Sequence, residues 1–125
     1  MSSSMSNYLE NALINATLRN TSYTSPAAVY VALFSTYTEG GTVTEISGSG
    51  YSRQSAAWDA PADGVSVNTA DVTFTATADY TAAAVGIYDA STAGNLLFAA
   101  IIPSFTVTAS ESLVFEAGSL AVSLT

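Results

Sequence analysis

The spacing of apolar residues changes once along the chain, from a helical repeat near the start to a strand repeat afterwards. Leu9 and Leu13 lie four residues apart with Ile14 beside them, which is the spacing of one helix face. Residues 7–10 resemble a capping box, with a carboxylate near the positive end of the helix dipole. We predict a helix over about residues 6–19.

From residue 27 onward the apolar pattern is that of β-strands. Residues 27–34 are almost continuously apolar, which is typical of a strand buried on both faces. Residues 71–78 alternate, which predicts a half-buried strand with Val72 and Phe74 facing the core. Further strand-like runs are separated by turn residues at spacings of about 8–12 residues. These runs are 42–47, 51–58, 65–67, 82–90, 95–102, 105–109 and 110–125.

Two turns and one strand boundary can be placed within this pattern. Two successive apolar runs predict a hairpin, with Gly94 and Asn95 taking the positive φ that its turn needs. Asp63 and Gly64 fit a second tight turn. Pro103 either ends the second strand of the hairpin or marks a sheet edge, because proline cannot donate to a strand ladder.

One helix followed by about eight to ten short strands is the pattern of an all-β domain. We therefore predict one domain over residues 1–125. It consists of a short N-terminal α-helix and a β-sandwich over about residues 27–125. The order of the strands cannot be predicted from one sequence, and a jelly-roll-like topology is one arrangement that fits this pattern.

The composition is unusually poor in charge. Ten carboxylates stand against two cations, Arg19 and Arg53, which gives a net charge of −8. This excludes the basic clusters that nucleic acids require and disfavours anionic membranes. No apolar run reaches the ~20 residues of a membrane span, and the start lacks the features of a secretory signal, so we expect synthesis and folding in a cytosol.

Charged residues are 10% of the chain, where about 25% is usual, and 49% are hydrophobic. Such a surface is hydroxyl-rich rather than ionic, which favours coverage by other subunits.

Candidate chemistry is sparse. The chain has no histidine and no cysteine, so the commonest general base and the best nucleophile are absent, and we expect no enzyme activity and no cofactor. Only calcium would suit an all-oxygen ligand set, but residues 59–64 lack the spacing of an EF-hand loop. An ordinary turn is the favoured interpretation of that segment, and we expect no metal site.

Aromatic residues leave two interpretations open. Trp58 and nearby tyrosines could stack on a sugar, but a lone tryptophan at a strand end is more often a core or interface anchor. The tyrosines considered are Tyr37, Tyr51, Tyr80 and Tyr88. Arg53 is expected either to pair with a carboxylate, across strands or across a subunit boundary, or to be an exposed cation of little consequence.

The order of these segments resembles a family of proteins. A helix ending before "YTSP", then "VYVALF", "GYSRQ" and "VGIYDA" followed by "GNLLF", resembles the small virion structural proteins of tailed bacteriophages. The resemblance covers nearly the whole chain, and its last motif is the most specific. Tyr80 lies where the family often has Trp-Gly, and the loop after "VALF" is shorter here.

The resemblance implies a non-catalytic structural subunit of a phage virion, most simply a capsid cement protein that bridges capsid subunits. Its expected partners are copies of itself, as a homotrimer, and the major capsid protein. The alternative is a tail-associated fibre or baseplate module with a carbohydrate-binding face. We select Leu9, Leu13 and Ile14 for helix docking, and Tyr51, Arg53 and Trp58 for an intersubunit contact.

Overall fold

A computed structural model describes residues 4–38 and 42–124, so the outermost residues of the predicted domain lie outside it. Within these ranges the chain forms one helix and ten strands; nine strands follow the helix, as the sequence predicts, whereas the two-residue strand Ser4–Met5 precedes it and was not predicted. They are β1 (Ser4–Met5), α1 (Asn7–Leu18), β2 (Val29–Tyr37), β3 (Val43–Glu45), β4 (Gln54–Ala56), β5 (Val65–Val67), β6 (Val72–Thr75), β7 (Tyr80–Tyr88), β8 (Leu96–Val107), β9 (Ser112–Phe115) and β10 (Ala121–Ser123).

The helix begins one residue earlier than the predicted capping box. Ser6 is the N-cap, and its hydroxyl accepts a hydrogen bond from the Leu9 N–H at 3.2 Å. The prediction of Asn7 as cap was wrong because serine is an equally good cap and stands directly before the first helical residue. At the other end Asn20 adopts a positive φ of 54°, which closes the helix as asparagine commonly does.

A six-stranded sheet forms one layer of the molecule. Its strand order is β1-β8-β7-β2-β3, and β4 also pairs with β2. The strand pairs in this sheet are all antiparallel. The central part of β2, from Val31 to Phe34, has no exposed surface, which confirms the predicted two-sided burial.

The predicted hairpin is formed by β7 and β8. Its positive φ values fall on Ala93 and Gly94 rather than on Gly94 and Asn95, because the side chain and backbone of Asn95 pair with Asp89 across the turn. A Cβ atom on Gly94 would lie 2.5 Å from the Asp89 carboxylate, so glycine is required there for space as well as for φ.

Pro103 does not end the second strand, since β8 continues to Val107. The register with β7 shifts between Ala82 and Ala84, which leaves Pro103 in a β-bulge. Beyond Ala99 no described strand pairs with the outer side of β8, so the proline marks a sheet edge as the sequence allowed.

Two separate two-stranded sheets, β6–β9 and β5–β10, form the opposite layer. This division into one large and two small sheets differs from the jelly-roll-like wiring that the sequence left open. The core between the layers joins Val31 and Val85 of the large sheet to Val72 and Phe74 of β6 and to Leu120 before β10. The fold is therefore a β-sandwich with a divided second layer.

A smaller cluster lies on the other face of the large sheet. Phe34, Ala84, Tyr88 and Ala99 form it, and the ring of Tyr37 stacks on Phe34 at 6.2 Å. Both faces of the central strands are thus apolar and covered, which explains why their sequences show no alternation.

Candidate interaction surfaces

Arg53 lies at the centre of a network that fixes the tip of the β7–β8 hairpin. Its Nε and Nη2 donate to the two carboxylate oxygens of Glu45 at 2.9 and 2.8 Å. Its Nη1 donates to the carbonyls of Ala90 and Ala93 at 2.9 and 2.8 Å. The guanidinium carbon stacks 3.7 Å from the ring centre of Tyr88. The side chain is only 7% exposed, so this cation is held by its own chain.

Tyr51 connects the same network to the core. Its hydroxyl donates to Glu45 Oε2 at 2.6 Å and accepts the Leu33 N–H at 3.0 Å. Burial raises the pKa of Tyr51 well above its ordinary value, and the bond to Glu45 raises it further. Partial burial opposes ionisation of Glu45, but the hydrogen bonds from Arg53 and Tyr51 outweigh it and hold the Glu45 pKa below its ordinary value.

A second buried polar centre is built around Asn68, which is 1% exposed. Its Oδ1 accepts the Leu120 N–H at 2.9 Å, and its Nδ2 donates to the carbonyls of Ala70 and Glu116 at 2.9 and 3.1 Å. Its backbone bonds Leu120 and Gly118 as well. Asn68 therefore ties the turn before β10 to the chain after β5.

An apolar groove of about 530 Å³ opens between the large sheet and the β5–β10 sheet. Except for Gly64 and Ser66, every residue along its walls has an apolar side chain. The walls are formed by Val29, Trp58, Pro61, Gly64, Val65, Ser66, Ile87, Leu97, Phe98, Val122 and Leu124. A volume of this size is in the range of small-molecule pockets, about 300–1,000 Å³.

Trp58 lies between this groove and a narrow gap behind it in the core. Its indole Nε1 is buried and has no hydrogen-bond partner among the described residues. An indole N–H left unpaired in an apolar setting costs about 1–3 kcal/mol. Trp58 is thus both a wall of the groove and an unsatisfied donor.

The helix residues selected from the sequence have different environments. Leu9 is buried within its own chain, and the Ser6 N–H bonds the Leu97 carbonyl of β8 at 2.8 Å. Leu13 is partly buried, whereas Ile14 is 53% exposed. The exposed helix face also carries Leu18, which is 80% exposed.

The residues selected for an intersubunit contact have partners within the chain. Tyr51 and Arg53 share Glu45, so the cross-strand pairing expected for Arg53 is present. Trp58 is half-buried beside the groove, apart from that network. A contact of these residues with another chain stays a prediction.

The aromatic residues considered for sugar stacking do not share an exposed face. Tyr80 and Tyr88 are buried, Tyr51 stacks on Phe74 in the core, and Tyr37 stacks on Phe34. Trp58 is the one of these residues that lines the groove. A platform of exposed rings, as the alternative hypothesis required, is therefore not formed by these residues.

The segment considered for calcium forms a turn. Asp59 accepts hydrogen bonds from the Val67 N–H and the Ser66 hydroxyl, and the first of these does most to lower its pKa. Asp63 and Gly64 take positive φ values of 52° and 77° in the predicted tight turn. In residues 4–38 and 42–124 no group of three metal-ligating side chains occurs.

Sequence analysis missed the groove and the Asn68 centre. Trp58 was the one groove residue selected, because most of the other walls are aliphatic residues, a proline and a phenylalanine, which look like ordinary core residues. Glu45 was not singled out as the partner of Arg53, since Asp59 is about as close in sequence. Polar residues in loops give no indication of burial, so Asn68 could not be distinguished from the many other asparagines and serines.

No helix in the described part of the chain is long and apolar enough to cross a membrane.

Comparison with known proteins supports the resemblance noted from the sequence. A family model described as "Podophage GP4 fiber I protein gp80" matches residues 4–123. A search of curated proteins found no match. Since the family match spans nearly all of the 125 residues, the chain belongs to the podophage GP4 fibre I protein gp80 family and is a structural protein of a tailed-phage virion.

Proposed function

We propose that this chain is a non-catalytic subunit of a podophage fibre, which holds its place in the virion through apolar and hydroxyl-bearing surface. The observation that carries the proposal is the family match over residues 4–123, whose description names a fibre protein. This favours the tail-associated alternative over the capsid cement hypothesis.

The distribution of exposed apolar side chains supports an assembling subunit. Leu18 and Ile14 project from the helix, and Ile101 is 71% exposed on the edge strand β8. The open groove adds a recessed apolar surface beside Trp58. Isolated exposed apolar residues are ordinary, but a groove and two exposed apolar elements on a chain of this size suit contacts with other subunits.

A non-catalytic role is supported by how the strongest acid–base groups are used. Glu45, Tyr51 and Arg53 bond one another and the hairpin tip, so they are committed to structure. Asp59 and Asp89 stabilise turns through backbone hydrogen bonds. With no histidine or cysteine in the sequence, these groups are the best candidates for proton transfer, and none of them is a wall residue of the groove.

Immunogold labelling of intact particles tests the location. Antibodies raised against the purified chain should place gold on the fibres, and pre-incubation with free protein should abolish the label. Gold distributed over the head would contradict the fibre proposal and support the cement hypothesis, with the major capsid protein as partner.

Self-association is a separate part of the proposal. Light scattering behind a sizing column, over a hundredfold dilution, measures the molar mass in solution. A persistent trimer would support the homo-oligomer expected from the sequence. A monomer at every concentration would exclude a stable free oligomer and leave the fibre itself as the partner.

A further inference from the structure

We propose that the groove beside Trp58 receives an extended apolar segment of a different protein, flanked by basic residues. This inference rests on the proposed function, because it names the chemistry of a partner through which a fibre subunit would be attached. It concerns an open apolar surface beside the core, which lies between the large sheet and the β5–β10 sheet.

The shape and chemistry of the groove suit a short peptide segment. Ile87 and Phe98 of the large sheet face Val65 and Val122 of the small sheet across it. A volume of about 530 Å³ accommodates a few apolar side chains, and burying them contributes about 25 cal/mol per Å² of apolar surface. The polar wall residue Ser66 already donates its hydroxyl hydrogen to Asp59. The walls thus offer contact area and almost no competing polar groups.

The charges around the groove indicate which residues should stand on either side of the bound segment. The Asp59 carboxylate accepts a hydrogen bond at 3.0 Å from the wall residue Ser66, and Asp63 directly precedes the wall residue Gly64 in the chain; both aspartates are exposed. Neither arginine of the chain lines the groove. Arg53 is bound to Glu45, and Arg19 ends the helix. The rim is therefore acidic, which complements Lys or Arg on a partner.

The same charges disfavour a second copy as the occupant. A copy brings a net charge of −8 and has one exposed arginine to offer, Arg19, since Arg53 is 7% exposed. If two copies joined through this groove, the acidic rim of one would lie against the acidic surface of the other, and their repulsion would oppose binding. A basic-flanked segment of another chain meets no such repulsion.

The unpaired indole adds a directional element. Trp58 Nε1 is a buried donor without a partner among the described residues. An extended peptide carries a carbonyl at every residue, so a bound segment would offer acceptors to this donor once the Trp58 ring turns it toward the groove. Binding would then remove a cost that the free chain carries.

The test uses the whole purified chain and two blocked peptides, KLVLK and ELVLE. Trp58 is the only tryptophan, so its indole N–H resonance and its fluorescence report on the groove alone. We expect KLVLK to shift both saturably and to bind roughly tenfold more tightly than ELVLE, with the difference shrinking at high salt. No binding, or equal binding of the two peptides, would overturn the inference.

Matched variants locate the site. Val65→Asn changes an exposed valine in the groove wall, and Val114→Asn changes a valine of similar exposure on β9, outside the groove. Titration calorimetry should show KLVLK affinity falling at least about fivefold for the first and unchanged for the second. Equal effects of the two changes would contradict binding in the groove. A dimer of the free chain that Val65→Asn dissociates would show that a second copy is the occupant and would also overturn it.

The two proposals fail in distinguishable ways. Gold on the fibres without peptide binding would leave the fibre function standing and remove the groove as its docking site. Peptide selectivity with gold on the head would keep the groove as a docking site and overturn the fibre location.

Discussion

The β6–β9 end of the sandwich and the β5–β10 end are built from strands of similar length, yet they differ in how they meet the large sheet. Val72 and Phe74 of β6 are almost fully buried, and Phe74 packs on Tyr51 and Phe115. No residue of β5 or β10 is fully buried, and the groove lies along them.

This difference shows that the β6–β9 sheet contributes buried residues to the core, whereas the β5–β10 sheet lines an open groove. Large rings close the β6–β9 end, since Phe74, Tyr51 and Phe115 fill the space against the large sheet. Valines and a half-buried tryptophan leave the β5–β10 end open, and Asn68 holds that end in place by hydrogen bonds instead. Burial is therefore concentrated at the β6–β9 end, and the end that we propose for attachment is the more open one.

The largest expected effect is at the closed end. Phe74→Ala removes a ring that is 1% exposed and stacked 5.9 Å from Tyr51. We expect the free energy of unfolding to fall by about 3–5 kcal/mol, because a large cavity remains in a packed core. Urea denaturation measures it, and Val114→Ala on the exposed face of β9 is the control, with a change below about 0.5 kcal/mol.

The hydrogen bonds of Asn68 should be next in importance. Asn68→Ala leaves the Leu120 N–H and the Ala70 and Glu116 carbonyls without this partner, so we expect a loss of about 3 kcal/mol. Asn95→Ala, which removes one exposed side-chain hydrogen bond to Asp89, is the control and should cost less than about 1 kcal/mol. Similar losses for both, measured by urea denaturation, would show that burial of Asn68 does not matter.

The Arg53 network predicts a dependence on pH. The pKa of Glu45 is lowered in the folded chain, so its contribution is present above its ordinary value of 4.5 and is lost as pH falls through the lowered pKa. Glu45→Gln should cost about 2 kcal/mol at pH 7, since a buried guanidinium loses its counter-charge.

Denaturation curves of both proteins from pH 7 to pH 3 measure this difference. The gap should begin to narrow below about pH 4.5, where Glu45 of the unfolded chain takes up a proton, and should continue to narrow as pH falls through the lowered pKa of the folded chain. Asp59 and Asp89, whose pKa values are also lowered, are unchanged in the variant and cancel in the comparison. A gap that stays constant down to pH 3 would contradict the role of the ion pair.

The smallest effects on stability are expected at the open end and on the helix. Val65→Asn and Leu18→Ser replace exposed side chains, so each should change the free energy of unfolding by less than about 0.5 kcal/mol. A loss above about 2 kcal/mol for either would mean that the surface belongs to the core. Thermal unfolding followed by circular dichroism is sufficient for this measurement.

Much of the fold could be predicted because local patterns determine it. The unbroken apolar run predicted that β2 is buried on both faces, and the alternation around Phe74 predicted which face of β6 points toward the core. The hairpin of β7 and β8 followed from its turn residues. These features depend on residues that are close together in the sequence, so a pattern of a few residues is enough to predict them.

Other features depend on residues far apart in sequence and were not predicted. Pro103 is tolerated inside β8 because a bulge against β7 means that no N–H donor is needed at this position, and the bulge can be identified only from the paired strand. Arg53 finds carbonyls 37 and 40 residues away, at the tip of the hairpin. The groove arises from the separation of two sheets, so no single segment of sequence encodes it.

Native-state hydrogen exchange of the purified chain tests the contrast between the two ends most directly. Amides of β6 and β9 should exchange only by global unfolding, whereas those of β5 and β10 should exchange at least about a thousandfold faster through local opening. Equal protection of both small sheets would contradict an account in which one end closes the core and the other remains available for a partner.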